Sequence, residues 1–177
     1  MRIWLLSASI VLATSLFAPA AGAQMPAPLT PEISAKLKVL DVFSGTWDVT
    51  VRTRLPKPAV VTYTETYTWA LDRRFLHGDS GRKSDGTQDL VMATYDQPSG
   101  GYPFWIFSSS GAWTYLAPGQ WDATSRTMVW KNPPNIPITY LSRCEFPDAK
   151  SRRCSTFVKN WTGAVLLDQE ASAVRRR

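Results

Sequence analysis

Glu65 is a carboxylate placed in the middle of an aromatic face. It stands in Val61-Thr62-Tyr63-Thr64-Glu65-Thr66-Tyr67-Thr68-Trp69, where Val61, Tyr63, Glu65, Tyr67 and Trp69 alternate with threonines. A threonine face suits water and an aromatic face suits an interior, so a strand here carries Glu65 inward. An ionised carboxylate in that position is costly without a partner. Three readings are open: a structural pair with an arginine, a polar anchor or general base in a pocket, or a bulge that turns the side chain outward. His77, the only histidine, is the one side chain suited to proton transfer near neutral pH. It falls at a strand end beside a glycine-rich stretch, where a surface or capping role competes with catalysis. A lone histidine without companion Cys, His or Asp clusters does not make a zinc site, so no metal and no cofactor is expected.

The aromatic residues supply the second kind of chemistry. Tyr63, Tyr67, Trp69, Trp105, Trp113 and Tyr140 bring polar edges that a plain aliphatic core does not need. With Glu65 they are the expected lining of a small-molecule pocket, although aromatics also fill ordinary β cores. Cys144 and Cys154 flank a Pro147-Asp148-Ala149-Lys150-Ser151 turn. A hairpin centred on Ala149 sets them directly opposite, which predicts a cross-strand disulfide. Ser108-Ser109-Ser110-Gly111 lacks the Gly-x-Ser-x-Gly elbow and reads as a turn.

These side chains need strands to position them, and the chain is rich in strand signals. Gly45-Thr46-Trp47-Asp48 opens the first, with Trp47, Val49, Val51, Thr53 and Leu55 on one face. Ala59–Leu71 forms the second. Further strands are predicted at 75–77, 90–95 and 102–108, then at 113–117 with 120–122, divided by Pro118-Gly119. The last are 126–131, 136–146, 152–159 and 164–174. Turn signals recur every 8–12 residues, which implies an all-β, antiparallel up-and-down barrel or sandwich of about ten strands. One helix precedes it: Thr30-Pro31-Glu32 caps a run in which Ile33, Leu37 and Leu40 repeat to about Val42.

Residues 1–23 combine a basic start, an apolar run and an Ala21-Gly22-Ala23 ending, the pattern of a secretory signal peptide. Residues 24–29 read as a Pro/Ala linker, and 30–177 as one barrel domain. Loss of the leader removes one charge, Arg2, and lowers the net charge from +6 to +5. The basic residues Arg73-Arg74, Arg152-Arg153 and Arg175-Arg176-Arg177 are scattered and not interleaved with aromatics, so they read as solvated surface and not as a nucleic-acid face. No second apolar run of membrane-spanning length follows the leader. A periplasmic or secreted location follows, and an oxidising compartment suits the cysteine pair.

A helix leading into Gly45-x-Trp47 and then up-and-down strands resembles the calycin-like barrels, the group of lipocalins and fatty-acid-binding proteins. Leu40-x-x-Phe43-Ser44-Gly45-Thr46-Trp47-Asp48, Arg74-Phe75-Leu76, Tyr95-Asp96 with Tyr102 and Trp105, and Gly119-x-Trp121-Asp122 are similar to a bacterial family of exported lipocalin-like proteins classed as a domain of unknown function. The Ala173-Val174-Arg175 ending fits the same family. The resemblance implies the barrel fold, a small apolar or amphipathic ligand, and a structural trio of Gly45, Trp47 and Arg175, with the arginine over the indole. Haem-binding barrels of related shape use a late histidine, and His77 is not late. The expected function is ligand binding in the barrel. The alternatives are a periplasmic hydrolase or isomerase using Glu65 and His77, and a filled-core structural or interaction module.

Overall fold

The structure is a computed structural model that describes residues 29–132 and 136–177; the leader expected at 1–23 and most of the linker expected at 24–29 lie outside them. Ten antiparallel strands form one closed up-and-down barrel in which each strand pairs with its sequence neighbours, and β1 (Gly45–Leu55) closes on β10 (Val165–Arg175). Between them run β2 (Ala59–Ala70), β3 (Phe75–Asp79), β4 (Asp89–Ala93) and β5 (Tyr102–Ser108). They continue through β6 (Trp113–Asp122), β7 (Thr127–Lys131), β8 (Thr139–Glu145) and β9 (Ser151–Lys159). Closure leaves no free edge for a chain this rich in β-branched and aromatic residues. No helix among the described residues is long and apolar enough to cross a membrane.

The period-two pattern sets which side chains face inward. Trp47, Val49 and Val51 of β1 are buried, and their β2 partners in register are Glu65, Tyr63 and Val61. On the other side of β1 the same three residues meet Arg175, Ala173 and Ala171. β6 runs unbroken through Pro118-Gly119, where two strand pieces are predicted. The irregularity is taken up as a register shift opposite Tyr102 and Phe104 of β5. Gly119 is required there, because a Cβ would stand 2.5 Å from the Trp130 ring.

The helix is shorter than its sequence suggests. α1 (Pro31–Leu37) begins at Thr30, whose hydroxyl accepts from the Ile33 N–H at 3.2 Å, and then tightens into a 3-10 helix over Lys38–Val42. Leu37, Leu40 and Phe43 are all buried and stand three residues apart. A three-residue turn places them on one line, whereas an α-helical turn would fan them apart. That line closes one end of the barrel. The Phe43 ring lies 5.4 Å from Phe104, 4.9 Å from Phe146 and 6.0 Å from Tyr67, measured between centroids.

Candidate functional site

Above the Phe43 plug the barrel is hollow. A cavity of about 470 Å³ runs from Phe43, Glu65 and Arg152 past Tyr63, Tyr67 and Val91 to Lys83, Thr114, Thr156 and Gln169 at the other end. Its size falls within the range of ordinary small-molecule sites. The walls are the inward residues of the strands, so polar positions such as Thr114, Ser142 and Thr156 are built into them. Cys144 and Cys154 also face the cavity, joined in a disulfide with Cα atoms 4.1 Å apart across the β8–β9 pair.

The polar centre lies at the closed end. Glu65 is turned inward, without a bulge, and accepts from Arg152 Nη2 in an ion pair whose side chains are 7% and 6% exposed. The Arg152 guanidinium also stands 5.2 Å from the Trp47 ring, 5.6 Å from Phe43 and 5.9 Å from Tyr67. Its Nη1 is buried and has no partner among the described residues. Burial opposes its charge, but Glu65 and the neighbouring tyrosines outweigh burial and the Arg152 pKa goes up. Burial likewise raises the Tyr63 and Tyr67 phenols, and the negative charge of Glu65 adds to the effect. Tyr67 has room because Gly78, its cross-strand partner, has no side chain; a Cβ there would stand 2.4 Å from the ring.

Arg152 is a correction to the sequence reading, which assigned Arg152-Arg153 to solvated surface. Strand alternation divides the pair: Arg153 is exposed, whereas Arg152 is 5% exposed and shares the inward face with Cys154 and Thr156. The signal in the sequence is that an arginine two residues from a cross-strand cysteine must face the same way as that cysteine.

Arg175, by contrast, stands 4.4 Å over the Trp47 ring. It donates from Nη2 to the Val42 carbonyl at 3.2 Å and from Nη1 to the Ser44 carbonyl, so the last strand caps the helical segment with a positive charge. Trp47 is fully buried and donates from Nε1 to the Phe43 carbonyl at 2.8 Å. Gly45 has a φ of +102°, and a Cβ there would lie 2.7 Å from Arg175 Nη1. Glycine satisfies both demands at once.

The remaining candidates are dispersed. Tyr63, Glu65 and Tyr67 line the cavity; Trp69, Trp105, Trp113 and Tyr140 do not. Trp69 sits at the rim, donating from Nε1 to Asp41 Oδ1 at 2.7 Å beneath Arg73. Tyr140 is used structurally, its hydroxyl accepting the Ala117 N–H at 2.7 Å across the irregular part of β6. Trp105 and Trp113 alternate with the inward residues Phe104, Ile106 and Thr114 and so belong to the outer face, where Trp105 packs on Tyr115 and Trp113 is 70% exposed. β5 is apolar on both faces, so periodicity alone could not assign Trp105 to one side of the wall. His77 alternates with the inward Leu76 and Gly78 and pairs with Thr68 and Met92. The barrel wall therefore separates it from Glu65, and the two cannot act on one substrate. Among the described residues no group of three or more His, Cys, Asp or Glu side chains is placed to hold a metal ion.

No protein-family model matches the chain, and no curated protein sequence does. Solved structures do resemble it. Rv2717c from M. tuberculosis superposes with a TM-score of 0.60 at 13% identity, covering 85% of this chain and all of that one. The S-type phycobiliprotein lyase CPES from Guillardia theta gives 0.47 at 10% identity over 82% of this chain and 97% of that one. A de novo designed fluorescence-activating β-barrel gives 0.43 at 13% identity over 78% and 98%. At these identities the likeness concerns the fold alone.

Proposed function

We propose that the protein is an exported binding protein that holds one small apolar or amphipathic molecule inside the barrel. The observation that carries this reading is the cavity of about 470 Å³ above the Phe43 plug, whose wall mixes apolar and aromatic side chains such as Val61, Tyr67, Val91 and Ile106 with polar and charged ones such as Glu65, Arg152, Lys83 and Asp89. The leader-like residues 1–23 and the Cys144–Cys154 disulfide support export to an oxidising compartment, with residues 30–177 as the mature barrel domain. The four-part motif pattern supports membership in the exported lipocalin-like family of unknown function. Hydrolysis or isomerisation by Glu65 with His77 finds no support, because they occupy opposite faces of the wall.

A hydrophobic fluorescent probe titrated into the mature protein should saturate at one per chain and quench tryptophan emission. Substituting Tyr67→Ala should change affinity, whereas Trp69→Ala and Trp113→Ala, outside the cavity, should leave it unchanged. The absence of any saturable site would refute the reading and favour a structural barrel.

A further inference from the structure

The two ends of the barrel differ in what they show to solvent. Among the described residues, the exposed large hydrophobic side chains gather at the end opposite the Phe43 plug, with Leu71 and Val174 the exceptions. Leu55 and Val60 flank the β1–β2 connection there, Phe107 and Trp113 flank the β5–β6 turn, and Trp161 and Leu166 stand where β9 turns into β10. Trp113 is 70% exposed and Trp161 81%. Register makes part of this surface continuous. Leu90, Phe107 and Trp113 are cross-strand neighbours on the outer face, and Met92, Trp105 and Tyr115 form the adjoining row. Apolar surface left in water to this extent marks a contact with something else.

Charge divides the two ends in the same way. Every connection at the plugged end contains or borders an aspartate: Asp72, Asp96, Asp122 and Asp148. At the other end, residues 102–118, 136–141 and 155–167 contain no acidic residue. The exposed cations Lys131 and Lys159 lie among their apolar side chains, Lys131 in register with Leu141 and Lys159 Nζ 5.2 Å from the Phe157 ring. Lys57 is exposed in the β1–β2 connection. The acidic exceptions are Asp79, Asp85 and Asp89 around the β3–β4 connection, set against Arg82 and Lys83, and Asp168, which Arg54 already holds.

We infer that this end of the barrel docks on the surface of a phospholipid bilayer that carries anionic headgroups. Strand connections around a barrel lie at one level along its axis, so their side chains meet a plane together. Tryptophan and tyrosine, apolar in body and polar at one edge, suit the headgroup boundary. Lysines lay their stems along apolar surface and reach the anionic headgroups. The acidic β3–β4 side of the rim stays in water. Thr114 and Asp85 line the cavity and are exposed, so the cavity reaches the surface at this same end. Docking therefore sets its mouth against the lipid, and an apolar cargo passes between the two without crossing water. The passage of cargo rests on the function proposed above; the docking does not.

The test is association of the mature protein with vesicles of phosphatidylcholine and phosphatidylglycerol, part of the phosphatidylcholine being brominated. The wild type should sediment with the vesicles, and the brominated lipid should quench its tryptophan emission. Trp113→Ser with Trp161→Ser alters two exposed side chains outside the core. It should weaken association roughly tenfold or more and remove most of the quenching, while affinity for a hydrophobic probe in solution stays unchanged. Lys131→Glu with Lys159→Glu should weaken association with the mixed vesicles severalfold, most at low salt, and leave association with pure phosphatidylcholine unchanged. Leu71→Ser with Val174→Ser, at the plugged end, should behave as the wild type. Absence of association, or association that survives loss of the two tryptophans, overturns the docking. So does a wild-type dimer that the tryptophan variant abolishes without any vesicle binding, which makes this face a contact between two copies of the chain. A probe that finds no saturable site in solution refutes the binding function and leaves the docking standing.

Discussion

Trp47 shows how much one side chain can depend on its neighbours. Its indole N–H is committed to Phe43, one guanidinium lies 4.4 Å and another 5.2 Å from its ring centroid, and it is fully buried. Trp47→Ala therefore removes packing area together with the ring that two guanidinium groups stack on. We expect a loss of about 3–5 kcal/mol from lost burial and the residual cavity together, read as a large fall in melting temperature with the strand circular dichroism retained below it. A nearly unchanged melt would contradict the placement of Trp47 at the sealed end. The Arg175 guanidinium is part of the same assembly: burial lowers its pKa, and the nearby charge of Arg152 lowers it further. It keeps its place by donating to backbone carbonyls of the helical segment and the β8–β9 turn, an acceptor set that carries no opposing charge.

At the scale of elements, the seam between β1 and β10 is where the two ends of the chain close the barrel. It is fastened on the outside by Arg54 to Asp168 at 2.8 Å and by Arg176 to Asp48 at 2.7 Å. The hydrogen bonds from Arg54 and Arg176 hold the two carboxyls below their usual range. A carboxyl whose pKa is lower when folded stabilises the fold above its unfolded pKa, and that contribution disappears as pH falls through the lowered value. Stability should thus be flat from neutrality to about pH 5 and fall below about pH 4, with the β10 amides losing exchange protection first. Arg54→Ala should flatten the acid limb. An unchanged limb in that variant would remove the seam from the explanation. The β8–β9 hairpin carries the other tie. Reducing Cys144–Cys154 should lower stability by about 3 kcal/mol in the chain-entropy account of so short a loop, while the barrel, hydrogen-bonded around its whole circumference, stays folded. Two freely alkylated thiols in the native protein would refute the bridge.

The strands and this hairpin were legible because period-two alternation and a symmetric turn are local signals. Glu65 was legible as an anomaly for the same reason. Arg152 was not, because an arginine on an inward face runs against the ordinary burial preference of its type. Its justification, Glu65, lies 87 residues away in sequence. Trp105 and Trp113 were misplaced because aromatic character says nothing about which side of a barrel wall a strand presents.

For the whole molecule, the decisive contrast lies between the two ends of the barrel. One is sealed by Phe43 and the helical segment, and the other is lined by polar residues from the β3–β4 connection, among them Ser80, Lys83 and Asp85. The seal has a further consequence. Phe43 belongs to no strand, so the bottom of the cavity is a separate piece of chain docked by packing and by the arginine caps. Occupancy and docking must then be thermodynamically linked. A molecule resting on Phe43 binds only while the segment is seated, and at a hundredfold excess over its Kd it adds about 2.7 kcal/mol to the seated state. Hydrogen exchange at residues 40–44 should slow on ligand binding by a factor that grows with ligand concentration, while the outer threonine face of β2 stays unchanged. A segment that exchanges at the same rate whether the barrel is full or empty would show that the plug and the cargo are independent. Linked, they make the entry helix an occupancy gauge: from the plugged end of the barrel it reports whether the cavity is filled.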